Sequence, residues 1–439
     1  MRTTLHEVKV KTQDRAVLVS LVTQKLKKRE ELNEYSLQEL IKLAETAGVE
    51  VLETLVQNKE SVDTKWFIGK GKVEELRERL ETLDANTAIF DQELSGAQVR
   101  NLEAALDVKI IDRTQLILDI FAQRARTREG IIQVELAQLS YLLPRLSGHG
   151  KNLSRLGGGI GTRGPGESKL ETDRRHIRGR IDDLKAQLFE VTRHRILHSE
   201  RRKKSGVYQV ALVGYTNAGK STLLKQFTDA DVYVENQLFA TLDPTSRTMK
   251  LPSGKEIVLT DTVGFIQNLP HDLVAAFRAT LEEVCEADLI LHVVDSSAEM
   301  RLEHMRVVEE VLSELGAQGK EQITLFNKID LCPPEELELL PMGGGDTMKL
   351  SAYNSEDLEK LKIIIQEKLM GDSIQFAIPV ERGDMTALVY RIGDVLNTEV
   401  LDDKMLFEVR VNADDYAKLG YKLKEFVVGD EVTASEELE

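Results

Sequence analysis

Cysteine is nearly absent from the sequence, which contains only Cys285 and Cys332 among 439 residues. Two cysteines cannot build a disulfide framework, and these two lack the spacing of a metal site, which favours a reducing cytoplasm. Long apolar runs are missing as well: none approaches the length of about 18 residues that a membrane-spanning helix needs, and no secretion signal opens the chain. We therefore expect a cytoplasmic protein without a membrane span, and peripheral contact with a membrane stays open.

Basic residues are outnumbered by acidic ones: the sequence contains 58 Lys and Arg and 74 Asp and Glu, which gives a net charge of -16. Such a balance argues against a nucleic-acid partner, which requires an excess of Lys and Arg. Residues 121–205 depart from this balance, with 19 Lys and Arg against 9 Asp and Glu, so they carry +10 and the remainder -26. A basic segment on an acidic protein is a candidate contact region for phosphate groups.

Strand-like runs alternate with helix-like runs in two separate parts of the chain, residues 1–127 and residues 206–373. This alternation predicts parallel-rich α/β sheets. Residues 128–205 between them contain two helical stretches, and residues 374–439 predict a small α+β domain. The expected fold is a multidomain α/β protein, with an N-terminal α/β domain, an antiparallel helical hairpin, a second α/β domain and a small C-terminal domain.

The two helical stretches of residues 128–205 carry apolar stripes with coiled-coil spacing. The stripe residues are Ile132, Leu136, Leu139, Leu143 and Leu146 in the first stretch, and Leu170, Ile177, Ile181, Leu184, Leu188 and Val191 in the second. Two such stripes joined by a loop predict an antiparallel hairpin with the loop at its tip. Ser168 and Glu171 form a Ser-x-x-Glu capping box, which predicts that the second helix begins near Lys169.

The loop between the two stretches is rich in glycine and contains Gly159, Gly161 and Gly164 in the spacing Gly-x-Gly-x-x-Gly. A dinucleotide-binding fingerprint of this spacing follows a strand, and the residues before this one do not form a strand, which argues against a dinucleotide enzyme. Glycines at a tip permit close backbone approach to bases, and Arg155 and Arg163 can pair with phosphates or stack on a base. The alternative is a solvated loop without a partner.

A phosphate-binding loop is present in "GYTNAGKS", which reads Gly-x-x-x-x-Gly-Lys-Ser from Gly214 to Ser221. It follows the apolar strand "QVALV" and precedes the helix "STLLKQF", the context that the motif requires. Backbone N–H groups of such a loop surround the β-phosphate, Lys220 neutralises phosphate oxygens, and the Ser221 hydroxyl binds Mg2+. This motif predicts a nucleoside triphosphate site.

A second nucleotide motif follows in "IVLTDTVG", where Asp261 ends a strand and Gly264 comes three positions later. The aspartate can hold Mg2+ through water, and the glycine lets its backbone N–H approach the γ-phosphate. Phe265 comes next, and a phenylalanine cannot orient the water that attacks the γ-phosphate. We therefore expect slow intrinsic hydrolysis that depends on a partner or on another group; the alternative is that Gln267 takes the role.

The guanine base has candidate contacts in "NKID" and "SAY". Asn327 and Asp330 could bind a purine edge, because a carboxylate accepts both guanine N–H donors, which adenine lacks. The aliphatic stem of Lys328 can cover the ring. Backbone N–H groups of Ser351–Tyr353 can reach the guanine carbonyl.

These four motifs, in this order and spacing, resemble the GTPase superfamily of translation-factor-like proteins. By that resemblance Thr241, in "FATLDPTSR", is the threonine that completes the Mg2+ shell and senses the γ-phosphate, with Thr245 and Thr248 as nearby alternatives. Asn217 matches an asparagine that helps such GTPases bind a monovalent cation, which implies stimulation by K+. Lys220, Thr241 and Gly264 are accordingly the expected catalytic residues.

Longer blocks, including "FIGKGKVEEL", "GGGIGTRGPGESKLETDRR", "GYTNAGKS", "LFATLDPTSR" and "DTVGFIQNLPHDL", resemble the HflX family within the Obg-HflX group. The resemblance implies a P-loop GTPase that uses Mg2+, binds the 50S ribosomal subunit and its rRNA as a monomer, and splits or rescues stalled 70S ribosomes under stress. A protein-docking module timed by GTP, without RNA, is the alternative. The implied GTP-binding residues are Gly214, Tyr215, Thr216, Asn217, Ala218, Gly219, Lys220, Ser221, Phe239, Ala240, Thr241, Leu242, Asp243, Asp261, Thr262, Val263, Gly264, Asn327, Lys328, Ile329, Asp330, Ser351, Ala352 and Tyr353.

Overall fold

A computed structural model describes most of the chain. The described residues are 13–23, 30–146, 165–204, 207–228, 237–267, 281, 283–341, 346–370, 373–401, 403–411 and 413–428. The predicted tip of the hairpin, with Arg155, Gly159 and Arg163, lies outside them. The multidomain α/β fold that the sequence predicts is confirmed, and no helix within the described ranges is long and apolar enough to cross a bilayer.

The N-terminal α/β domain is built on a four-stranded, all-parallel sheet with the order β2-β1-β3-β4. Its elements are β1 (Arg15–Val22), α1 (Glu30–Thr46), β2 (Glu50–Asn58), α2 (Lys70–Thr82), β3 (Thr87–Phe90), α3 (Gly96–Leu106), β4 (Lys109–Asp112) and α4 (Arg113–Arg124). Side chains of β1 alternate between two apolar clusters, one on each face of the sheet. Helices cover both faces, as a parallel sheet requires.

The helical hairpin consists of α5 (Arg128–Arg145) and α6 (Pro165–Lys204). The predicted stripes meet: Ile132 and Leu136 of α5 are buried against Ile181 and Leu184 of α6. At a rise of about 1.5 Å per residue, the 40 residues of α6 extend for roughly 60 Å. The helix begins at Pro165 rather than near Lys169, so Ser168 lies inside the helix and not at its start. Proline is favoured in the first turn because it has no N–H to satisfy.

The second α/β domain has a six-stranded sheet with the order β10-β9-β8-β5-β7-β6, in which only β6 runs antiparallel to its neighbour. Its elements are β5 (Gln209–Gly214), α7 (Lys220–Thr228), β6 (Thr245–Lys250), β7 (Glu256–Asp261), β8 (Leu289–Asp295), α8 (Arg301–Glu314), β9 (Gln322–Asn327), α9 (Pro334–Leu339), β10 (Thr347–Lys349) and α10 (Ser355–Met370). All six residues of β5 are buried, because apolar clusters cover both faces of this central strand.

The C-terminal domain is a three-stranded antiparallel sheet with the order β11-β13-β12, packed against short helices. Its elements are β11 (Ser373–Pro379), α11 (Gly383–Ile392), β12 (Gly393–Leu401), β13 (Lys404–Val411) and α12 (Ala413–Leu419). A separate apolar cluster around Phe376 and Phe407 forms its core. The architecture is of the α+β type that the sequence predicts for the tail.

A buried ionic cluster joins the N-terminal domain to the second α/β domain. The Arg113 guanidinium, at the start of α4, pairs with the carboxylates of Glu39 and Asp91, and the Arg113 and Glu39 side chains are each 3% exposed. The same guanidinium donates to the backbone carbonyl of Gln267 at 3.3 Å. The Tyr215 hydroxyl donates to Glu39 at 2.5 Å. Two segments of the second domain are therefore held by one group of charges.

Replacing Arg113 should destabilise the protein strongly. Arg113→Met leaves two buried carboxylates without their cation, a loss that typically costs about 3–5 kcal/mol. Arg180→Met serves as the matched control, because Arg180 makes a two-bond pair with Glu135 at 2.7 and 2.8 Å on the exposed face of the hairpin. Exposed pairs contribute little. Urea unfolding should show a large decrease in the free energy of unfolding for Arg113→Met only. Equal decreases in the two variants would contradict a central role for the buried cluster.

Candidate nucleotide-binding site

The predicted phosphate loop, Gly214–Ser221, connects the end of β5 to the start of α7, as the motif requires. Gly219 has φ of +100°, and a Cβ there would lie 2.3 Å from Nδ2 of Asn327. Only glycine fits this backbone conformation and this close approach. The loop therefore curls tightly around the N-terminus of α7, where free N–H groups and the helix dipole favour an anion.

Lys220 points back along the loop. Its Nζ donates to the carbonyl oxygens of Gly214 and Tyr215 at 3.0 and 2.9 Å, and the side chain is buried. Burial lowers the pKa of Lys220 to about 8, although the nearby Asp261 carboxylate opposes the shift. The ammonium is thus held at the floor of the loop by groups that a phosphate can replace.

Three oxygen-bearing side chains from separate segments converge beside this loop. Ser221 Oγ donates to Asp261 Oδ2 at 2.6 Å, Thr241 Oγ1 donates to the same oxygen at 2.9 Å, and the two hydroxyls lie 2.8 Å apart. Thr245 and Thr248, the alternatives to Thr241, lie in β6 instead. The structure therefore brings Thr241, and not its rivals, next to Ser221 and Asp261.

The Asp261 carboxylate has spare binding capacity. Its Oδ1 is buried and has no hydrogen-bond partner among the described residues. Burial raises the pKa of Asp261, although Lys220 and the two hydroxyls oppose the shift. A buried carboxylate oxygen without a partner, next to two hydroxyl oxygens, is the donor set that Mg2+ prefers. The residues present therefore fit a magnesium ion.

Gly264 lies directly against the phosphate loop. A Cβ on Gly264 would be 2.9 Å from the Thr216 Cα and 3.2 Å from the Lys220 Nζ. The two segments are joined by backbone hydrogen bonds, from Thr216 to Phe265 at 2.7 Å and from Phe265 to Gly214 at 3.1 Å. A larger residue at position 264 would push the Asp261 motif away from the loop, so glycine is needed for contact.

Neither Phe265 nor Gln267, the alternative water-orienting residue, directs its side chain into the cleft. The Phe265 ring is buried in the apolar cluster under β5 and α8. The Gln267 backbone N–H donates to the Tyr215 hydroxyl at 2.8 Å, and its side-chain oxygen is buried without a partner among the described residues. Gln267 is thus fixed on the side of the N-terminal domain, which does not favour the alternative in which it orients water.

The base-recognition segments meet at the ends of β9 and β10. The Asn327 amide donates to the Ala218 carbonyl at 2.9 Å and accepts from the Ala352 N–H at 3.0 Å. Asn327 therefore ties the phosphate loop to the Ser351–Tyr353 segment, and Asp330 stays the predicted contact for the purine edge. Lys328 Nζ donates to the Asn217 carbonyl and to Asp295, both at 2.7 Å, which holds its stem across the site.

Protein-family models match three consecutive segments: GTP-binding GTPase N-terminal over residues 34–122, GTP-binding GTPase Middle Region over 124–202, and 50S ribosome-binding GTPase over 209–328. The GTPase HflX of Caldanaerobacter subterraneus is 49% identical over 417 residues, 94% of each chain. The GTPase HflX of Escherichia coli is 41% identical over 411 residues, 92% of this chain and 95% of that one. This chain belongs to the HflX family of GTPases.

Membership in the HflX family confirms the predicted family and shows that the chain is a GTPase. P-loop GTPases generally use Mg2+, in agreement with the oxygen donors around Asp261. Among solved structures, a GTP-binding protein from the archaeon Sulfolobus solfataricus in complex with GDP is 25% identical, with a TM-score of 0.43 over 81% of this chain and 99% of that one.

Several side chains expected in the HflX nucleotide site point elsewhere. Tyr215 faces Glu39, Leu242 packs into the core shared with the N-terminal domain, and Asp243 faces the start of α5. They can reach a nucleotide only through their backbones.

Two residues that the sequence analysis did not predict, Thr222 and Gln237, also line the cleft. Thr222 follows the motif serine directly, whereas no local pattern marks Gln237, which is held by Arg124 from the N-terminal domain.

His304 of α8 packs on Tyr215, the residue that contacts the N-terminal domain through Glu39. Its ring stacks on the Tyr215 ring, with centroids 3.8 Å apart and planes 11° apart. Its Nε2 is buried and has no hydrogen-bond partner among the described residues. Burial lowers the pKa of His304 to about 4, although Asp295 and Glu303 oppose the shift. The stack therefore holds a neutral imidazole.

The buried histidine should make the stability of the protein depend on acid pH. Because the pKa of His304 is about 4 in the folded state and near 6.5 in the unfolded chain, the unfolded chain binds the proton first as pH falls. Its contribution to the free energy of unfolding, about 3 kcal/mol, should be lost between pH 6.5 and pH 4. His304→Phe keeps an aromatic partner for Tyr215 and should flatten this loss in denaturation series at several pH values.

His176→Gln, at an exposed position of α6, is the control and should retain the pH dependence of the parent protein. A His304→Phe protein with an unchanged pH dependence would show that His304 is not the group that titrates.

Proposed function

We propose that this HflX-family GTPase is a cytoplasmic monomer that binds the 50S ribosomal subunit in its GTP state, inserts the hairpin tip against rRNA, and splits or rescues stalled 70S ribosomes under stress. The observation that carries the proposal is the long helix α6, with 40 residues, within the basic segment of an otherwise acidic chain. A projecting basic hairpin suits an RNA cavity, because its phosphates attract Lys and Arg. The family model described as a 50S ribosome-binding GTPase supports this partner.

Nucleotide chemistry is assigned to the residues that converge on the cleft. Ser221 and Thr241 would bind Mg2+ directly and Asp261 through water, and the ion would neutralise charge on the β- and γ-phosphates. Lys220 would exchange its two carbonyl contacts for phosphate oxygens. The Gly264 N–H would donate to the γ-phosphate, and the Asp330 carboxylate would accept from the guanine N–H groups. Phe265 leaves the water-orienting position apolar, so hydrolysis would be slow until a partner supplies the missing group.

Monovalent-cation binding is assigned to Asn217, at the mouth of the phosphate loop. Asn217 is exposed and has φ of +61°. A left-handed backbone by itself favours asparagine, so the residue type has two explanations, conformation and cation binding. A substitution to glycine separates them, because glycine tolerates this φ and removes only the side-chain amide.

Hydrolysis of GTP should therefore be faster in KCl than in NaCl of the same concentration, by roughly tenfold if the cation contributes about 1.4 kcal/mol to the transition state. Asn217→Gly should lower the rate in KCl and bring the two salts to equal rates, whereas Asn217→Asp should retain a difference. Turnover measured by phosphate release is the readout. Equal rates in both salts for the parent protein would remove cation binding from the mechanism.

Ribosome binding can be tested by co-sedimentation with 50S, 30S and 70S particles in GDP or in a non-hydrolysable GTP analogue. We expect binding to 50S that is tighter with the GTP analogue. If about five phosphates are contacted, the logarithm of the affinity should fall with the logarithm of KCl concentration with a slope of roughly -3 to -4. Arg155→Ala together with Arg163→Ala should reduce this slope by about 1 to 2, one unit or less for each lost phosphate contact.

Arg306→Ala is the matched control, since Arg306 is an exposed arginine of α8 that pairs with Glu303 and Glu310, remote from the hairpin in sequence. It should leave the slope unchanged. Binding that ignores both the nucleotide and the tip arginines would contradict the proposal. A response that is flat in salt would favour the second candidate, a regulatory module that docks a protein partner.

A further inference from the structure

A carboxylate from the second α/β domain, Asp243, binds the start of the hairpin. Asp243 Oδ2 accepts the backbone N–H groups of Arg126 and Thr127 at 2.8 and 2.9 Å, and Asp243 Oδ1 accepts the Thr127 hydroxyl. Thr127 is the N-cap of α5, and its hydroxyl also accepts the Gly130 N–H at 3.0 Å. A Cβ on Gly130 would be 2.2 Å from Asp243 Oδ1. Glycine at position 130 therefore leaves room for the Asp243 carboxylate against the first turn of α5.

Asp243 lies two residues after Thr241, in the segment of residues 237–243 that borders the cleft. Two residues of extended chain span at most about 7 Å, so the Thr241 and Asp243 Cα atoms cannot separate further. Leu242 between them is buried in the apolar cluster that also contains Val134 and Ala137 of α5. Thr241 therefore contacts Ser221 and Asp261, Asp243 binds the start of the hairpin, and Leu242 between them lies in an apolar cluster shared with α5.

The other end of this segment is also anchored on the N-terminal domain. The Phe239 ring packs edge-on against Phe121 of α4, with centroids 4.7 Å apart and planes at 77°. Phe239 has φ of +54°, a conformation that a bulky side chain adopts only when its surroundings hold it there. Thr241 therefore lies between Phe239, whose ring contacts Phe121 of α4, and Asp243, whose carboxylate binds the start of α5.

The negative charge of Asp243 strengthens its contact with the start of α5, and this contact helps to fix the position of Thr241. A carboxylate at a helix N-terminus meets unpaired N–H groups and the positive end of the helix dipole. The contact needs both partners in place, and 116 residues of sequence separate Asp243 from Thr127. Moving the segment away from the cleft would leave the Arg126 and Thr127 N–H groups without their acceptor, and moving α5 would pull on Thr241.

We propose that Asp243 is a positioning residue for GTP hydrolysis, which holds Thr241 in reach of the magnesium ion by binding the N-terminus of α5, and which thereby couples the nucleotide state to the hairpin. The inference rests on the proposed magnesium role of Thr241. Coupling of this kind is reciprocal: a nucleotide that holds Thr241 stabilises the start of α5, and a change at the start of α5 alters the use of magnesium and GTP.

The test compares Asp243→Ala, Asp243→Asn, Thr127→Val and the double variant Asp243→Ala/Thr127→Val in the full chain. We expect Asp243→Ala to raise the Mg2+ concentration for half-maximal hydrolysis about tenfold and to lower kcat about tenfold, with GDP affinity in the absence of Mg2+ unchanged. Asp243→Asn should recover part of the activity, because its amide oxygen still accepts the two N–H groups. Thr127→Val should act in the same direction, by roughly threefold, although it lies outside the cleft.

The double variant distinguishes coupling from general damage. If the two residues act through one contact, it should be no worse than Asp243→Ala alone, whereas independent effects would multiply. Ser95→Ala is the matched control, since Ser95 caps α3 of the N-terminal domain and its side chain bonds Gln98 of that helix. It should leave the Mg2+ dependence unchanged. Normal Mg2+ dependence in both Asp243→Ala and Thr127→Val, or multiplied effects in the double variant, would overturn the inference.

Two further measurements keep the outcomes separable. Thr241→Ala with normal hydrolysis would remove the proposed role of Thr241 itself; an impaired Thr241→Ala beside unaffected Asp243 and Thr127 variants would remove only the coupling. Hydrogen exchange in the parent protein should show slower exchange of the amides of residues 129–134 with the GTP analogue than with GDP, and Asp243→Ala should abolish this difference. Equal exchange with both nucleotides in the parent protein would also overturn the coupling.

Discussion

The buried guanidinium of Arg113 is the constraint on which the geometry of the GTP site depends. A charge removed from water must be surrounded by partners, and Arg113 finds them in Glu39, Asp91 and the Gln267 carbonyl. Glu39 in turn accepts from Tyr215 of the phosphate loop. One desolvated cation therefore determines where α1, the phosphate loop and the residues after Gly264 lie relative to one another.

The N-terminal domain and the hairpin together hold both segments that would sense the γ-phosphate. Arg113 and Tyr215 fix the backbone of Gln267, just beyond Gly264, while the N-terminus of α5 holds Asp243, just beyond Thr241. These segments are the ones that change with nucleotide state in GTPases. In an HflX-family protein whose hairpin is proposed to meet the ribosome, this places the sensors of GTP and the base of the hairpin in one continuous structure.

The cleft has the side chains proposed for binding GTP and Mg2+, but neither Phe265 nor Gln267 supplies a group that would orient the attacking water. The groups proposed to hold phosphate and metal converge closely, with Ser221, Thr241 and Asp261 within hydrogen-bonding distance of one another. The water-orienting position is filled by Phe265, which is buried in the core, and Gln267 is tied to the domain interface. Under the proposed function such a site would bind GTP and delay its hydrolysis, which suits a factor that must remain in its GTP state until a partner is engaged.

The sequence by itself determined the multidomain α/β fold, the phosphate loop, the Asp261 motif and the paired helices, because each depends on backbone conformation and periodicity over a few neighbouring residues. Only the tertiary structure selected Thr241 over Thr245 and Thr248, directed the Tyr215 ring to Glu39, and paired Asp243 with Thr127 across 116 residues. These contacts depend on how separate elements pack and on which buried charges find partners, and a local sequence pattern contains no information about either.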